Sequence, residues 1–199
     1  MMFTIYDIDE VIRIPPDQFG KPLEEVALQQ LRLEYEGLTT EDLGHVIMVT
    51  DVNVQPLGRV HPRDGATYHR AGCKLLAFRP KVQEVVEGEV AEITDFGAFV
   101  RIGPLDALLH VSQVMDDFIS YDDKHSILMG KKTGRKLGVG DRMRVRVIAV
   151  SFATGPAGKI GVTARQPLLG KIEWIEDELR KTSRGKVVEK KEAETSAGG

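Results

Sequence analysis

Between residues 88 and 103 the chain alternates apolar and polar positions with the period of a β-strand. The pattern predicts a strand, a tight turn that contains Phe96, and a second strand in which Val100 faces one side while Phe99 and Arg101 face the other. Burial in a sheet explains the valine, but it does not explain an aromatic ring and an arginine that point away from it. Exposed rings that stack on bases, beside cations that meet phosphates, are typical of surfaces that bind single-stranded nucleic acid. Taken alone, the stretch is equally compatible with phenylalanines that fill a hydrophobic corner.

Three more strand-like runs follow downstream. Residues 106–112 place Leu109 and Val111 on one face, residues 142–147 alternate arginines with apolar side chains, and residues 159–165 form a fifth short run. Five short strands with glycine-containing turns, within fewer than about 80 residues, predict an all-β five-stranded barrel of the OB type.

Several phrases in this region occur in the order and spacing of a known domain. They are Gly-Glu-Val at 88–90, Phe-Gly-Ala-Phe-Val at 96–100, Leu-Leu-His-Val-Ser at 108–112 and Gly-Asp-Arg-Met-Arg-Val-Arg-Val at 140–147. Over roughly residues 82–166 the chain therefore resembles the S1 RNA-binding domain. The resemblance implies an S1-type OB barrel that contacts RNA through Phe96, Phe99 and His110.

The first 80 residues indicate a mixed α+β unit. Residues 3–14 predict one bent strand or a strand pair, and strands are also expected at 46–55 and 67–78, with a short helical turn at 40–43. A helix is expected from Pro22 to Gly37, with an apolar stripe formed by Leu23, Val26, Ala27, Leu31 and Leu33. This strand–helix–strand–strand order predicts a truncated RNP-like domain over residues 1–80, whose end is marked by Arg79-Pro80.

The predicted barrel contains a long insertion at residues 115–139. The insertion begins acidic and ends basic, and one of this length in a compact barrel is usually functional or disordered. Gly130 and Gly134 suit the turns of an extra hairpin. Apolar residues after 167 predict a final amphipathic helix, so the second domain is expected to span 81–180, and the charged stretch 181–199 predicts a disordered tail.

The composition favours a folded cytoplasmic protein. Of the 199 residues 42% are hydrophobic, which is enough for packed cores. No apolar run reaches the roughly 18 residues of a membrane span, and the N-terminus lacks the features of a signal peptide. Cys73 is the single cysteine, which excludes an internal disulfide and a cysteine-based zinc site and favours a reducing compartment.

The net charge is −3, but the charged residues are distributed unevenly along the chain. Residues 124–146 carry eight lysines and arginines against Asp141 alone, which favours a polyanionic partner. The alternative interpretation of this stretch is a basic loop that only contacts solvent. The adjacent predicted barrel favours nucleic acid as the partner of these cations. The predicted RNA-binding residues are Phe96, Phe99, Arg101, His110, Lys131, Lys132, Arg135, Lys136, Arg142, Arg144 and Arg146.

Recognisable catalytic motifs are missing from the sequence, which contains no glycine-rich phosphate loop, His-Glu-x-x-His or nucleophile elbow. The acidic pairs at 116–117 and 122–123 are compatible with magnesium, but adjacent acids in a polar loop are far more often solvated. We therefore predict no metal site, no cofactor and no catalytic centre.

Nearly the whole chain, to about Glu178, resembles the archaeal RNA polymerase stalk subunits of the E-prime family, whose eukaryotic counterpart is the seventh subunit of RNA polymerase II. The resemblance is carried by the opening stretch at 1–16, the junction at 64–90 and the stretch 170–176. It implies a non-catalytic subunit whose N-terminal tip domain docks on polymerase core subunits near the clamp. It further implies a small helical stalk partner and a barrel that binds emerging single-stranded RNA without strong sequence preference. The core-docking loop is expected to use Gly58, Arg59, His61, Arg63, Asp64 and Gly65.

Three alternatives stay open at this point. S1 barrels also hold RNA in degradation and translation complexes, which would place this chain on an exosome or a ribosome. A pure assembly protein would direct its basic face toward acidic protein. A ribonuclease is the least compatible, because no carboxylate constellation accompanies the barrel.

Overall fold

The computed structural model of the chain describes residues 2–152 and 158–182. Within these residues the chain forms two compact units. One contains the residues up to Lys81 together with a short segment that begins at Val150, and the other contains Val82–Ala149 and the residues from Ile160 on. Most of the predicted tail, residues 183–199, lies outside the described residues, whereas residues 181 and 182 belong to the last helix.

The first unit is an antiparallel sheet covered on one face by a helix. Its elements are β1 (Phe3–Ile14), a short 3-10 helix (Pro16–Gln18), α1 (Leu23–Tyr35), β2 (Thr39–Thr40), β3 (Gly44–Val54), β4 (Arg59–Val60) and β5 (Thr67–Phe78). β5 lies at the centre between β1 and β3, with β2 beside β3 and β4 also paired to β5. The predicted α+β fold is confirmed.

The core of this unit lies between α1 and the sheet. Pro22 precedes the helix, where a fixed φ favours the first turn. Val26 and Leu31 are buried and form one cluster with Leu75 of the central strand. Leu33 is 76% exposed, so its predicted place in the apolar stripe is wrong. Two residues beyond Leu31, its side chain lies roughly 200° around the helix and therefore faces solvent.

Two further predictions for this unit are settled by strand pairing. β1 is one continuous strand that pairs with β5 from Phe3 to Ile14, not a strand pair. The helical turn predicted at 40–43 is wrong, because Thr39 and Thr40 pair with β3 as a short hairpin strand. Gly44 permits this reversal with a φ of 79°.

The second unit contains the barrel and its insertion. Its elements are β6 (Val85–Thr94), β7 (Gly97–Arg101), β8 (Asp106–His110), α2 (Val111–Val114), β9 (Ile119–Asp122), β10 (Ile127–Gly130), β11 (Lys136–Leu137), β12 (Arg142–Ser151), β13 (Lys159–Thr163), β14 (Gly170–Lys171) and α3 (172–182). The order β13-β8-β7-β6-β12, with β12 also paired to β13, closes five strands into a ring. The predicted OB-type barrel is confirmed.

Alternation along the strands places the apolar side chains inside the barrel as predicted. Val100, Leu109 and Val145 have no exposed surface. The third strand is shorter than predicted, since it ends at His110. The His110 Nδ1 accepts a hydrogen bond of 3.2 Å from the Ser112 amide, which begins the helical turn of α2 in place of a continued strand.

The insertion at residues 115–139 forms regular secondary structure of its own. β9, β10 and β11 form a three-stranded antiparallel sheet, in which Leu128 lies opposite Tyr121 on one side and Leu137 on the other. Leu128 and Leu137 are fully buried. Gly134, with a φ of 67°, lies in the turn between β10 and β11.

Candidate nucleic-acid interface

The aromatic corner of the barrel is formed by Phe96 and Phe99. Phe96 lies in the turn between β6 and β7 and is 46% exposed, whereas Phe99 is half-buried on the outer face of β7. The two rings meet edge to face with centroids 6.1 Å apart. Because Ala98 and Val100 take the inward positions on β7, the ring of Phe99 is directed outward. The corner thus presents aromatic surface to solvent, as a base-stacking platform requires.

His110 lies beside this corner. It is exposed and pairs in register with Gly97, the first residue of β7. A side chain at Gly97 would overlap the carbonyl oxygen of Leu109, so only glycine allows β7 and β8 to approach here. The His110 Nδ1 is 2.8 Å from the Ser112 hydroxyl, which holds the ring against the start of α2.

The barrel arginines share the outer face with these rings. In register, Arg142 lies opposite Glu89, and Glu89 lies opposite Arg101. Strand alternation places Arg101 and Arg142 on the side of Phe99. The arginine row and the aromatic corner therefore both lie on the outer surface of the barrel.

The same arginines are paired with carboxylates. Glu87 binds Arg142 at 3.3 Å and Arg144 at 2.8 Å, and Asp106 binds Arg101 at 3.1 Å. The pKa of Arg101 is raised by its hydrogen bond to Asp106. These pairs are exposed, and exposed pairs contribute little stability, so phosphates can compete for the guanidinium groups. Their charge is nevertheless offset in the free protein.

Arg146 differs from its two neighbours on β12. It is half-buried, and its Nη1 contacts the Gln83 carbonyl oxygen at 3.4 Å. Its Nε is buried and has no hydrogen-bond partner among residues 2–152 and 158–182. Of the three arginines on β12, it is the least suited to contact a phosphate.

The predicted basic residues of the insertion fall into two groups. Lys131, Lys132 and Lys136 are exposed. Arg135 instead contacts α3, where its guanidinium lies 5.4 Å from the centre of the Trp174 ring and 2.6 Å from the Glu178 carboxylate. The charge of Arg135 is thus offset within the unit, as are the charges of Arg101, Arg142 and Arg144, and its contact with RNA stays a prediction.

Sequence reasoning missed Phe118, which is 71% exposed at the start of the insertion sheet. The Lys132 ammonium lies 5.6 Å from the centre of its ring, within the range of a cation–π contact. The available signal was an aromatic residue directly after the acidic pair at 116–117, near the start of the predicted insertion.

Asp117 and Asp122 of the insertion form hydrogen bonds within the insertion itself. Asp117 accepts hydrogen bonds from the amides of Lys132 and Thr133 at 2.9 Å and 2.8 Å, and these bonds lower the pKa of its carboxyl, with the Thr133 amide contributing most. Asp122 accepts from His125 at 2.8 Å. No cluster of three potential metal-binding residues occurs in the described part of the chain.

The predicted core-docking loop lies in the first unit. Arg59 forms part of β4, while His61, Arg63, Gly58 and Gly65 are exposed. Asp64 anchors the loop, since it accepts hydrogen bonds of 2.7 and 2.6 Å from Arg13 and another from Tyr68. The hydrogen bonds from Arg13 and then Tyr68 hold the pKa of Asp64 well below its usual value.

The combination of an S1-like barrel with outward-facing rings and a small α+β unit defines a two-domain protein of the nucleic-acid-binding class. Residues 79–156 match the S1 RNA binding domain, and residues 9–65 match the SHS2 domain found in the N terminus of Rpb7p and Rpc25p. Among the described residues, no helix is long and apolar enough to cross a membrane.

Comparison of full chains identifies the family. The chain is 43% identical to the DNA-directed RNA polymerase subunit Rpo7 of Saccharolobus shibatae, over 87% of this chain and 97% of that protein. It is 38% identical to Rpo7 of Sulfolobus acidocaldarius over 92% and 100% of the two chains, and 26% identical to the DNA-directed RNA polymerase II subunit rpb7 of Dictyostelium discoideum over 86% and 99%. The chain belongs to the Rpo7 family of RNA polymerase subunits, which confirms the family predicted from the sequence. Among solved structures, RNase R of Mycoplasma genitalium matches 41% of this chain and 13% of that chain at 24% identity and a TM-score of 0.36, too partial a likeness to carry a conclusion.

Proposed function

We propose that this chain is a non-catalytic stalk subunit of a cytoplasmic archaeal RNA polymerase. In this proposal the first unit docks on the core near the clamp and pairs with a small helical stalk partner. The barrel binds emerging single-stranded RNA without strong base preference. The observation that carries the RNA-binding part is the exposed, edge-to-face pair of Phe96 and Phe99 beside His110 on the outer barrel surface.

This geometry supports stacking rather than base-specific recognition. An aromatic ring stacks on any base, at roughly 1–3 kcal/mol per fully engaged base. The surrounding groups on the outer face are arginines and carboxylates already paired with each other. Such a surface suits a transcript of arbitrary sequence.

The loop between β3 and β5 supports docking on a larger assembly. It exposes two apolar side chains, Leu57 at 89% and Val60 at 65%. The contacts of Asp64 with Arg13 and Tyr68 hold the loop in shape, so little ordering cost remains on binding.

The face of the first sheet opposite α1 supports a second protein partner. Ile5 is 63% exposed and Met48 39% exposed, and both pair in register with Leu76 of β5. Phe3, at the same end of β1, is 49% exposed. In this proposal the small helical stalk partner covers this apolar stripe.

The RNA-binding part is tested with the double variant Phe96→Ala/Phe99→Ala. Fluorescence anisotropy with labelled single-stranded RNA should show binding weakened by at least about tenfold, from the loss of stacking. The matched control is Phe19→Ala/Phe3→Ala, which removes two exposed rings from the first unit. RNA binding that is unchanged in a folded Phe96/Phe99 variant would show that these rings do not stack on bases.

The assembly part is tested by purification through a tag on this chain from its native source. Recovery of the polymerase core with one small helical subunit is expected. Leu57→Asp should reduce recovery of the core, whereas the control Leu33→Asp, an exposed leucine on α1, should not. Recovery of ribosomal or exosome proteins in place of polymerase would contradict the proposal.

A further inference from the structure

We infer that the insertion sheet carries a second RNA-contact surface, in which one ring stacks on a base and three lysines bind phosphates. The inference rests on the proposed RNA-binding function. This surface, called here the insertion face, consists of Phe118, Lys131, Lys132 and Lys136.

The ring of the insertion face is more accessible than either ring of the aromatic corner. Phe118 is 71% exposed, compared with 46% for Phe96. Its carbonyl oxygen accepts a hydrogen bond of 2.8 Å from the Lys131 amide, which fixes its backbone to the start of the next turn. The Lys132 ammonium lies over the ring at 5.6 Å. A base that stacks on this ring therefore finds a cation within reach of its phosphate.

The turn that presents these lysines is held in place by Asp117. Its carboxylate accepts from the amides of Lys132 and Thr133 and from the Thr133 hydroxyl, the last at 2.9 Å. The Gly134 amide closes the turn by donating to the Gly130 carbonyl oxygen at 3.0 Å. A turn fixed in this way loses little conformational freedom when RNA binds.

Charge distinguishes the insertion face from the barrel arginines. Within the described residues, the ammonium groups of Lys131, Lys132 and Lys136 form no ion pair with a carboxylate, whereas Arg101, Arg142 and Arg144 of the barrel are paired. Arg135 and Glu178 offset each other, and the neighbouring carboxylate of Asp117, which accepts from the Lys132 amide and not from an ammonium group, subtracts one charge from the sum. A net positive charge of about two remains, and unpaired cations are those that release counterions from a polyanion. This charge favours RNA over an uncharged or apolar partner.

The insertion face lies within reach of the aromatic corner along one RNA strand. Phe118 lies eight residues beyond His110, so the chain between them can span at most about 29 Å when fully extended. The helical turn α2 lies within this connection and shortens it further. A segment within the roughly 4–16 nucleotides that an OB fold covers is long enough to touch both.

The inference predicts a dependence on RNA length. With the full chain, we would titrate labelled oligouridylate of about 4 and about 12 nucleotides, a range taken from known OB-fold site sizes. Phe118→Ala should weaken binding of the longer RNA by roughly tenfold and leave the shorter one unchanged. Phe118→Trp should restore it, because stacking is retained.

The lysines are tested by salt dependence. Lys131, Lys132 and Lys136 changed together to Gln should make the slope of log affinity against log salt shallower by about 2, at roughly 0.7 per phosphate contact on single strands. The matched control changes Lys21, Lys81 and Lys181 to Gln, which removes the same charge from exposed positions elsewhere.

The outcomes separate this inference from the proposed function. If wild-type protein binds neither RNA, both fail. If wild-type protein binds the longer RNA and the insertion-face variants bind it equally well, only the second surface is wrong. If those variants keep RNA binding but lose capture of polymerase subunits, the face docks protein and the inference is likewise overturned.

Discussion

Leu128 is a central core residue of the insertion sheet. It has no exposed surface and lies between Tyr121 and Leu137 in register, with Leu137 also fully buried. Leu128→Ala removes most of a packed side chain and leaves a cavity that the surrounding strands fill only in part. The expected cost is about 3 kcal/mol, within the range measured for buried leucines.

The single tryptophan provides the assay. Trp174 lies in α3 of the same unit and contacts Arg135 of the insertion, so its fluorescence reports whether the insertion sheet and α3 remain in contact. In urea, with a slope of about 2 kcal/mol per molar, the loss of about 3 kcal/mol lowers the midpoint by about 1.5 M.

Met129→Ala is the matched control for this experiment. Met129 is the next residue on β10 and faces the opposite side of the sheet, where it is half-buried. Its truncation should cost less than about 1 kcal/mol, since a partly exposed side chain leaves no closed cavity. If Leu128→Ala costs no more than Met129→Ala, the insertion does not form part of the packed unit and the reasoning fails.

Three other perturbations have defined outcomes. Gly97→Ala should destabilise the barrel by about 1–3 kcal/mol in thermal unfolding and should weaken RNA binding, because the new methyl group would overlap the Leu109 carbonyl oxygen beside the aromatic corner. Unchanged stability would contradict the close approach of β7 and β8 at this position. Tyr35 donates a hydrogen bond of 2.8 Å to Glu10, and burial with this bond raises its pKa to about 12 from the usual 10.0. The contribution of Tyr35 to stability is therefore intact below about pH 10 and is lost as the pH rises toward about 12. Tyr35→Phe should lower the free energy of unfolding by about 1 kcal/mol at neutral pH, and in urea titrations it should remove this part of the loss of stability at alkaline pH. An equal alkaline loss in both proteins would exclude Tyr35 as its source. Glu87→Gln should release Arg142 and Arg144 and make the slope of log affinity for RNA against log salt steeper by about 1.4, at roughly 0.7 per phosphate contact. The control Glu92→Gln frees neither arginine and should leave this slope unchanged. Equal slopes for the two variants would show that the arginines do not contact RNA.

The features predicted correctly from the sequence are those that follow a local rule. The period of two placed Val100 inside the barrel and Phe99 and Arg101 outside it, and the structure confirms all three positions. Pro22 located the start of α1 within one residue. Such rules depend only on residues a few positions apart, so the sequence contains the whole of the information they need.

The errors arise where contacts join distant parts of the chain. The 40–43 stretch became part of a hairpin because Thr39 pairs with His45, and pairing overrides the local preference for a helical turn. The ion pair of Arg135 is likewise not visible in the sequence, because Glu178, which binds it, lies 43 residues further along the chain. Glu87, which binds Arg142, is 55 residues away from it. No pattern within a window of about a dozen residues reports such partners.

The division of one basic stretch into three environments has a consequence for mechanism. Between residues 124 and 146 the sequence shows a single run of cations, but the fold pairs Arg142 and Arg144 with one carboxylate, uses Arg135 to hold α3 and leaves the lysines of the insertion face unpaired. An arginine that exchanges a carboxylate for a phosphate gains little net free energy, because it loses one ion pair as it forms another. An unpaired lysine has no such loss. The density of charge in the sequence therefore overstates the contribution of the barrel arginines to RNA affinity. In the proposed function, the part of RNA binding that depends on salt comes chiefly from the insertion. The aromatic corner supplies a part that depends little on salt.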